Sequence, residues 1–205
     1  MKSKKFLSLL LVLSLVAVML VGCGGGGQSN GKDNGNGNGE KPAGAVKLGL
    51  GVVNSIAKSS DYAPAEGDQE EKLAAGQVDT TMAAVAIDAD GKVVDVIIDT
   101  AQTKVTFDAD MKVTNRDAEL KTKVEKKEEY GMKKVSTIDK EWYEQIAELE
   151  KWMVGKSVAD ITGMKVKERD ASHKAVPDVE ELTSLVTVTV EDYLAVVEEA
   201  AANAR

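Results

Sequence analysis

The strongest structural signal in the sequence is a pair of apolar, β-branched runs joined by a tight-turn motif. The runs cover residues 81–87 and 92–98, and the sequence DADG (residues 88–91) separates them. Asp-Gly between two such runs favours a type I′ turn, whose two central residues need positive φ. The pattern therefore predicts an antiparallel hairpin, so the chain must build its core around a sheet.

Further β signals flank this hairpin. The run KVTF (residues 104–107) is followed by DADM (residues 108–111), which echoes the first turn and predicts a meander of two hairpins. The segment VKLGLGVV (residues 46–53) predicts a first strand. Asn54 stands where a dinucleotide-binding loop would need a third glycine, so the two glycines favour close backbone packing over a cofactor loop.

Helical signals occupy the region after the meander. Residues 59–76 read as a polar loop with a helical turn at 70–75, and residues 116–129 read as a surface helix. Residues 136–139 form a capping-box pattern that opens a longer helix, Gly155 is placed to end it, and Ser157 caps a short helix that ends near Gly163. The longer helix has apolar residues at helical spacing, namely Ile138, Trp142, Ile146, Leu149 and Met153.

The last signal is the hydroxyl-rich stretch LTSLVTVTVEDY (residues 182–193). Alternation predicts a strand over residues 186–190, with three valines buried and Thr187 exposed on the other face. Thr189 is then expected to cap the final helix. Together these segments predict an α+β fold in which antiparallel β-hairpins, arranged as a meander, pack with helices.

The N-terminal segment predicts export and lipid anchoring. Residues 1–22 combine three lysines with an apolar run, which is typical of a signal peptide, and Cys23 follows a small residue as in a bacterial lipobox. Residues 23–44 would then comprise the lipidated Cys23 and a flexible Gly/Asn tether, leaving residues 45–205 as a single domain. We expect lipid-anchored placement on the extracytoplasmic face of the cell membrane, with membrane lipid as a partner through acylated Cys23.

Charge and histidine content narrow the function classes. The chain has 26 basic and 34 acidic residues, and loss of the three signal-peptide lysines would leave 23 basic ones. So acidic a chain disfavours nucleic acid as a partner. Its one histidine, His173, excludes multi-histidine metal sites and is expected in an exposed loop. No metal site or catalytic residue is predicted.

The order of lipobox, tether, hairpins with a DGKV turn, Trp-bearing helix and hydroxyl-rich stretch before the last helix resembles the FMN-binding-domain lipoproteins of Gram-positive bacteria. The resemblance covers most of residues 46–200 in element order. It implies an FMN-binding-like domain, FMN as cofactor, a flavin transferase and a redox partner outside the membrane.

That family carries a Ser-Gly-Ala-Thr box whose threonine is esterified with FMN phosphate. Its positions fall on residues 184–187, so the resemblance implies Thr187 as the acceptor, with Ser184 and Thr183 beside it. Leu185 and Val186 stand where the box has small residues. Two functions stay open: a flavin-dependent electron carrier, or a non-redox binding or structural envelope lipoprotein that keeps the fold without a cofactor.

Overall fold

A three-stranded antiparallel sheet organises the part of the chain that the computed structural model describes, residues 46–205. The strands are β1 (Lys47–Ser55), β2 (Ala75–Ile87) and β3 (Val93–Thr106), in the order β1-β2-β3. The predicted α+β class and the hairpin between residues 81–87 and 92–98 are confirmed. The predictions made for residues 1–45, including the signal peptide, Cys23 and the tether, lie outside the described residues.

Helices follow the sheet along the chain, and the longest two pack on it. Helix α4 packs against β1 and β2, and α2 packs against β3. The remaining elements are short and connect these layers. In chain order the bounds are α1 (Lys123–Lys126), two 3₁₀ turns (Lys127–Tyr130 and Met132–Lys134), α2 (Trp142–Met153), α3 (Val158–Thr162), β4 (Val166–Lys167), β5 (Val176–Pro177) and α4 (Glu191–Ala202).

The inner face of the sheet changes character along its length. Because side chains alternate between faces of a strand, facing residues of β2 and β3 form rows of pairs on one side. The pairs Val85–Val96 and Ala83–Ile98 are buried in the apolar core. The next pair is Thr81–Thr100, and Asp79–Gln102 follows it. The sheet therefore runs from an apolar core to a polar end on the same face.

Two glycines of β1 bring the last helix close to the sheet. A Cβ atom at Gly49 would overlap the carbonyl oxygen of Ala200, and one at Gly51 would overlap that of Val196. Only glycine lets backbone approach backbone this closely. The prediction that these glycines serve close backbone packing in a strand is confirmed.

Both edges of the sheet are covered by polar contacts from other elements. On β1, the Val52 N–H donates to Glu199 Oε2 (3.0 Å). On β3, the Ile98 N–H donates to Glu150 Oε1 (2.6 Å), and burial raises the pKa of the Glu150 carboxyl. Unpaired strand edges invite association with other chains, so these glutamates protect both edges.

The two DADX turns share one geometry, which is not the predicted type I′ turn. In each, the first aspartate accepts backbone N–H bonds two and four residues on, at 2.8 to 3.0 Å. Only the fourth residue has positive φ, +76° at Gly91 and +62° at Met111. Each is therefore a three-residue loop ending in a left-handed residue, a common hairpin connection. The second turn is followed by a single bridge between Phe107 and Val113, so that hairpin is short.

The turns that end at Gly91 and Met111 share one geometry but differ in that residue, so each serves as the control for the other in a test of backbone strain. Gly91→Val should lower the free energy of unfolding by about 1 kcal/mol, because valine is disfavoured at positive φ. Met111→Gly should raise it by about 0.5 kcal/mol, because methionine already bears that strain. Urea denaturation of both variants checks this, and shifts of the same sign would contradict the assigned turn.

Several predicted helix boundaries are wrong. The expected surface helix over residues 116–129 contains only α1 and the start of a 3₁₀ turn, and residues 70–75 are extended, with Lys72 bridging Ala63. Helix α2 begins at Trp142, where Glu141 and Glu144 form its capping box. In residues 136–139 the Ser136 hydroxyl instead accepts bonds from Ile138 and Lys140 N–H. Two capping patterns lie close together in this stretch, and the helix begins at the second, where Glu141 is buried.

The stretch before the last helix is not a strand. Residues 181–185 form turns, and residues 186–190 are irregular. The burial of Val186, Val188 and Val190 is confirmed. Thr187 is also buried, against prediction, and α4 has Val190 at its N-cap without a side-chain hydrogen bond, so Thr189 does not cap it.

Candidate functional site

The polar end of the inner sheet face opens into a cleft of about 270 Å³, which we call the sheet-end cleft. It lies between strands β2 and β3, the start of α2, the start of α4 and the turn at residues 170–173. Residues from distant parts of the chain therefore meet there. Its lining comprises Lys58, Asp79, Thr81, Thr100, Gln102, Lys123, Met132, Trp142, Ser172, His173, Val188, Thr189, Asp192 and Tyr193.

Lys123 is the most unusual residue of the cleft, and its position follows from local structure. Thr122 caps α1 through a reciprocal capping box with Glu125, so Lys123 is the first helical residue. The Val124 N–H donates to Asp99 Oδ1 on β3 (3.2 Å), and Ala101 of β3 bridges to Thr122. This short helix is thereby fixed to the strand, and it holds Lys123 at the cleft.

The Lys123 amine lies among aromatic rings. Its residue is 9% exposed, and its Nζ lies 5.0 Å from the ring centroids of both Tyr130 and Trp142. Among the described residues the amine has no hydrogen-bond or ion-pair partner. Burial, with a smaller contribution from Lys58, lowers the pKa of Lys123 to about 8. The ring faces attract the charged form, so they compensate the burial only partly.

This environment predicts a specific pH dependence of stability. Because the pKa of Lys123 is lower in the folded protein, the unfolded chain binds the extra proton between pH 8 and pH 10.5. The free energy of unfolding should therefore rise across this window, by about 2 kcal/mol relative to Lys123→Met. Paired urea denaturation at pH 7.5 and 10 measures the difference, and parallel curves for the two proteins would contradict it.

A tyrosine–tryptophan pair forms the apolar wall of the cleft. Trp142 Nε1 donates to Tyr193 Oη (2.9 Å), and the two rings meet edge to face with centroids 5.9 Å apart. Burial raises the pKa of Tyr193 to about 12, so its phenol keeps its proton at neutral pH. The pair joins the first turns of α2 and α4. As expected from its helical spacing, Trp142 is a core residue.

Asp79, a residue of β2, lines this cleft, and its carboxylate already has partners. Lys58 Nζ lies 2.6 Å from its carboxylate, and Gln77 Nε2 donates to it (2.7 Å). Burial acts to raise the pKa of Asp79, but the bonds from Lys58 and Gln77 outweigh it, so the pKa is lowered. Asp79 thus stays ionised and is directed towards Lys58 and not towards Lys123.

The rim contains His173, which was expected in an exposed loop and lies in a partly exposed turn. Its Nδ1 lies 2.7 Å from Asp170 Oδ1 and 2.6 Å from Arg169 Nη2. Bonds from His173 and Arg169 lower the pKa of Asp170. Arg169 Nη1 also donates to the Thr187 carbonyl (2.7 Å), which ties the rim to the segment before α4.

The residues of the predicted flavin box are not brought together at this cleft. Thr183 and Ser184 are exposed on a turn. Thr187 is 9% exposed, and both its N–H (2.9 Å) and its hydroxyl (3.3 Å) donate to Gln145 Oε1. An ester at Thr187 would have to break this buried contact, so its placement does not favour attachment there.

Sequence reasoning missed Lys123, Asp79 and the pair Thr81–Thr100. Lysine after a capping threonine in a charged segment looks like a solvated residue, and nothing local marks it as buried. The threonine pair was in principle detectable, because the hairpin turn fixes which residues of the two strands face each other.

Among residues 46–205, no helix is long and apolar enough to cross a membrane, and no three His, Cys, Asp or Glu side chains cluster as metal ligands. Comparison with known proteins found no family model, no similar curated protein and no similar solved structure that matches this chain. The functional argument therefore rests on the cleft itself.

Proposed function

We propose that this protein is a lipid-anchored envelope protein that binds a small molecule in the sheet-end cleft. The anchoring rests on the sequence of residues 1–23, and the binding rests on the cleft. A concave site with mixed apolar and polar walls where several elements converge is typical of ligand sites. In this role the domain needs no catalytic group, and the tether would carry it away from the bilayer.

The observation that carries the proposal is the buried amine of Lys123. Burying a charged group without an ionic partner costs stability, so natural proteins rarely keep one without a function. Within the described chain no carboxylate pairs with it, although Asp79 lies close enough to influence its pKa. A lysine that serves only packing could be replaced by methionine at lower cost. We infer that a ligand completes its interactions.

Binding is tested by thermal unfolding of the full chain with a library of metabolites, using two tryptophan variants as probes. Ser172 lines the cleft and is exposed, so Ser172→Trp should cover the opening and abolish any ligand-induced stabilisation. Its neighbour Ala171 is exposed too but does not line the cleft, so Ala171→Trp should leave stabilisation intact. Equal responses in both variants would place binding elsewhere and reject the proposal.

Anchoring is tested separately at Cys23. The Cys23→Ser variant lacks the thiol that carries the diacylglyceryl group, so it should not be acylated. It should accumulate either with its signal peptide uncleaved or as soluble protein, because stable membrane binding needs more than one acyl chain. Fractionation of the producing bacterium, with labelled palmitate as a second readout, measures this. Unchanged membrane retention together with unchanged palmitate labelling would contradict the lipoprotein assignment.

Flavin-dependent electron transfer is the second candidate. It is favoured by one feature, the absence of a side-chain cap at α4, since free N–H groups at a helix start attract phosphate. Glu191 and Asp192 in the first turn act against it by adding negative charge. Protein purified from a host with the flavin transferase should show flavin absorbance and one FMN of added mass if this candidate is right. Loss of that mass in Thr187→Ala would identify the acceptor.

A further inference from the structure

We propose that the ligand of the sheet-end cleft is a small organic acid whose carboxylate pairs with the amine of Lys123. This inference rests on the proposed function and specifies its ligand. It draws on three independent features of the cleft: an unpaired cation, an uncommitted hydroxyl proton and an apolar wall.

The unpaired amine of Lys123, and not the total charge of a cleft that Asp79 and Asp192 also line, favours an anion. Lys123 and Lys58 both line the cleft, and Lys58 is paired with Asp79 at 2.6 Å, whereas Lys123 has only the two aromatic rings. A cationic ligand would bring a second positive charge to a buried amine without a counter-ion. A carboxylate would instead form a charge-assisted hydrogen bond in a partly desolvated site, where such bonds are strongest.

The hydroxyl groups that line the same cleft can support the same head group. Thr81 Oγ1 and Thr100 Oγ1 lie 3.4 Å apart, and both residues line the cleft. Because the indole of Trp142 can only donate, it uses an acceptor site on the Tyr193 oxygen and takes up no hydroxyl proton. The single contact between the two threonines uses one of their two hydroxyl protons, so the other can donate to a ligand. A carboxylate, which only accepts, is the matching partner.

The walls distinguish an organic acid from inorganic phosphate. Met132, Trp142, Val188 and Tyr193 present apolar surface to the cleft. Such surface gains free energy by covering hydrocarbon and gains nothing from a fully hydrated ion. The volume of about 270 Å³ is just below the range for drug-sized ligands, which points to a compact acid and not to a whole nucleotide.

The experiment compares isosteric acids and amides on the full chain. Calorimetric titration with benzoate and benzamide, and with propionate and propionamide, isolates the charge of the head group while keeping the apolar body. At least one acid should bind about tenfold or more tightly than its amide, the ratio expected for a charge-assisted bond. Inorganic phosphate serves as the anion without an apolar body and should bind more weakly than the acid.

Lys123→Met should remove the preference for the acid. The matched control is Lys156→Met, because the Lys156 amine also lies over an indole ring, that of Trp152 at 4.5 Å, but outside the cleft. If the acid preference persists in Lys123→Met, or disappears in both variants, the inference is overturned.

The acid–amide comparison on the unaltered chain decides the matter even where a variant fails to fold. Equal binding of acid and amide, tighter binding of phosphate, or no acid binding at millimolar concentration would each overturn the inference. Stabilisation by a neutral or cationic metabolite that Ser172→Trp abolishes would overturn it while leaving the proposed binding function intact.

Discussion

Replacing Gly51 by alanine should lower the free energy of unfolding by about 3 kcal/mol, the upper range for an overpacked core position. The new methyl group would overlap the carbonyl oxygen of Val196, which is helix backbone and cannot rotate away. Relief requires α4 to move off β1, and that movement would open the core around Val197 and Ala200. Chemical denaturation followed by far-ultraviolet circular dichroism measures the change.

Gly76→Ala is the matched control. Gly76 lies in β2, but a Cβ atom there would meet nothing within 4 Å, and its φ is not positive. Alanine costs less conformational entropy than glycine in a strand, so this variant should be neutral or up to about 1 kcal/mol more stable. Similar losses in Gly51→Ala and Gly76→Ala would mean that strand propensity, and not the contact with α4, requires glycine at position 51.

Replacing Gln145 by methionine should lower the free energy of unfolding by about 3 kcal/mol, because the buried N–H of Thr187 is left without an acceptor. Gln145 is completely buried, and its Nε2 also donates to Ser136 Oγ (3.4 Å) and to the Lys140 carbonyl (3.3 Å). It therefore joins the segment before α2 to the segment before α4. Methionine keeps the volume and removes only the polar contacts, and thermal and urea unfolding report the loss.

Thr187→Val separates the parts of this contact. Valine keeps the backbone N–H bond to Gln145 and removes only the hydroxyl bond of 3.3 Å, so the loss should be about 1 kcal/mol. If Thr187→Val costs as much as Gln145→Met, the hydroxyl bond and not the backbone bond accounts for the loss, which would contradict this division.

Local sequence patterns were sufficient for features whose cause lies within a few residues. The aspartate–glycine turn identified the central hairpin, although the turn is not of type I′, because Gly91 has positive φ and Asp90 does not. Helical spacing located α2 and most of its buried residues, the final helix follows the hydroxyl-rich stretch as predicted, and the alternating valines of residues 186–190 were correctly assigned to the core. Hydrophobic period and turn chemistry act over short ranges, so one sequence contains enough information for them.

The same patterns misplaced features that depend on a partner. Alternation predicted an exposed Thr187 in a strand, but Gln145, 42 residues earlier, accepts its N–H and buries it without a β ladder. Residues 116–129 carry a helical charge pattern, yet the chain there follows the edge of β3 and forms only one helical turn. In both places a tertiary contact outweighed local propensity.

Local patterns in the sequence are therefore enough for the α+β class, the central hairpin, the two main helices and the close backbone packing at Gly49 and Gly51. Export and lipidation at Cys23, which the pattern of residues 1–23 indicates, stay a prediction. The burial of Lys123, from a charged connecting segment, between Tyr130 and Trp142 in a cleft that Thr81 and Thr100 also line could not be predicted from local patterns. The physical reason is that burial and pairing of a polar group depend on which distant groups surround it, and that arrangement arises only when sheet and helices pack.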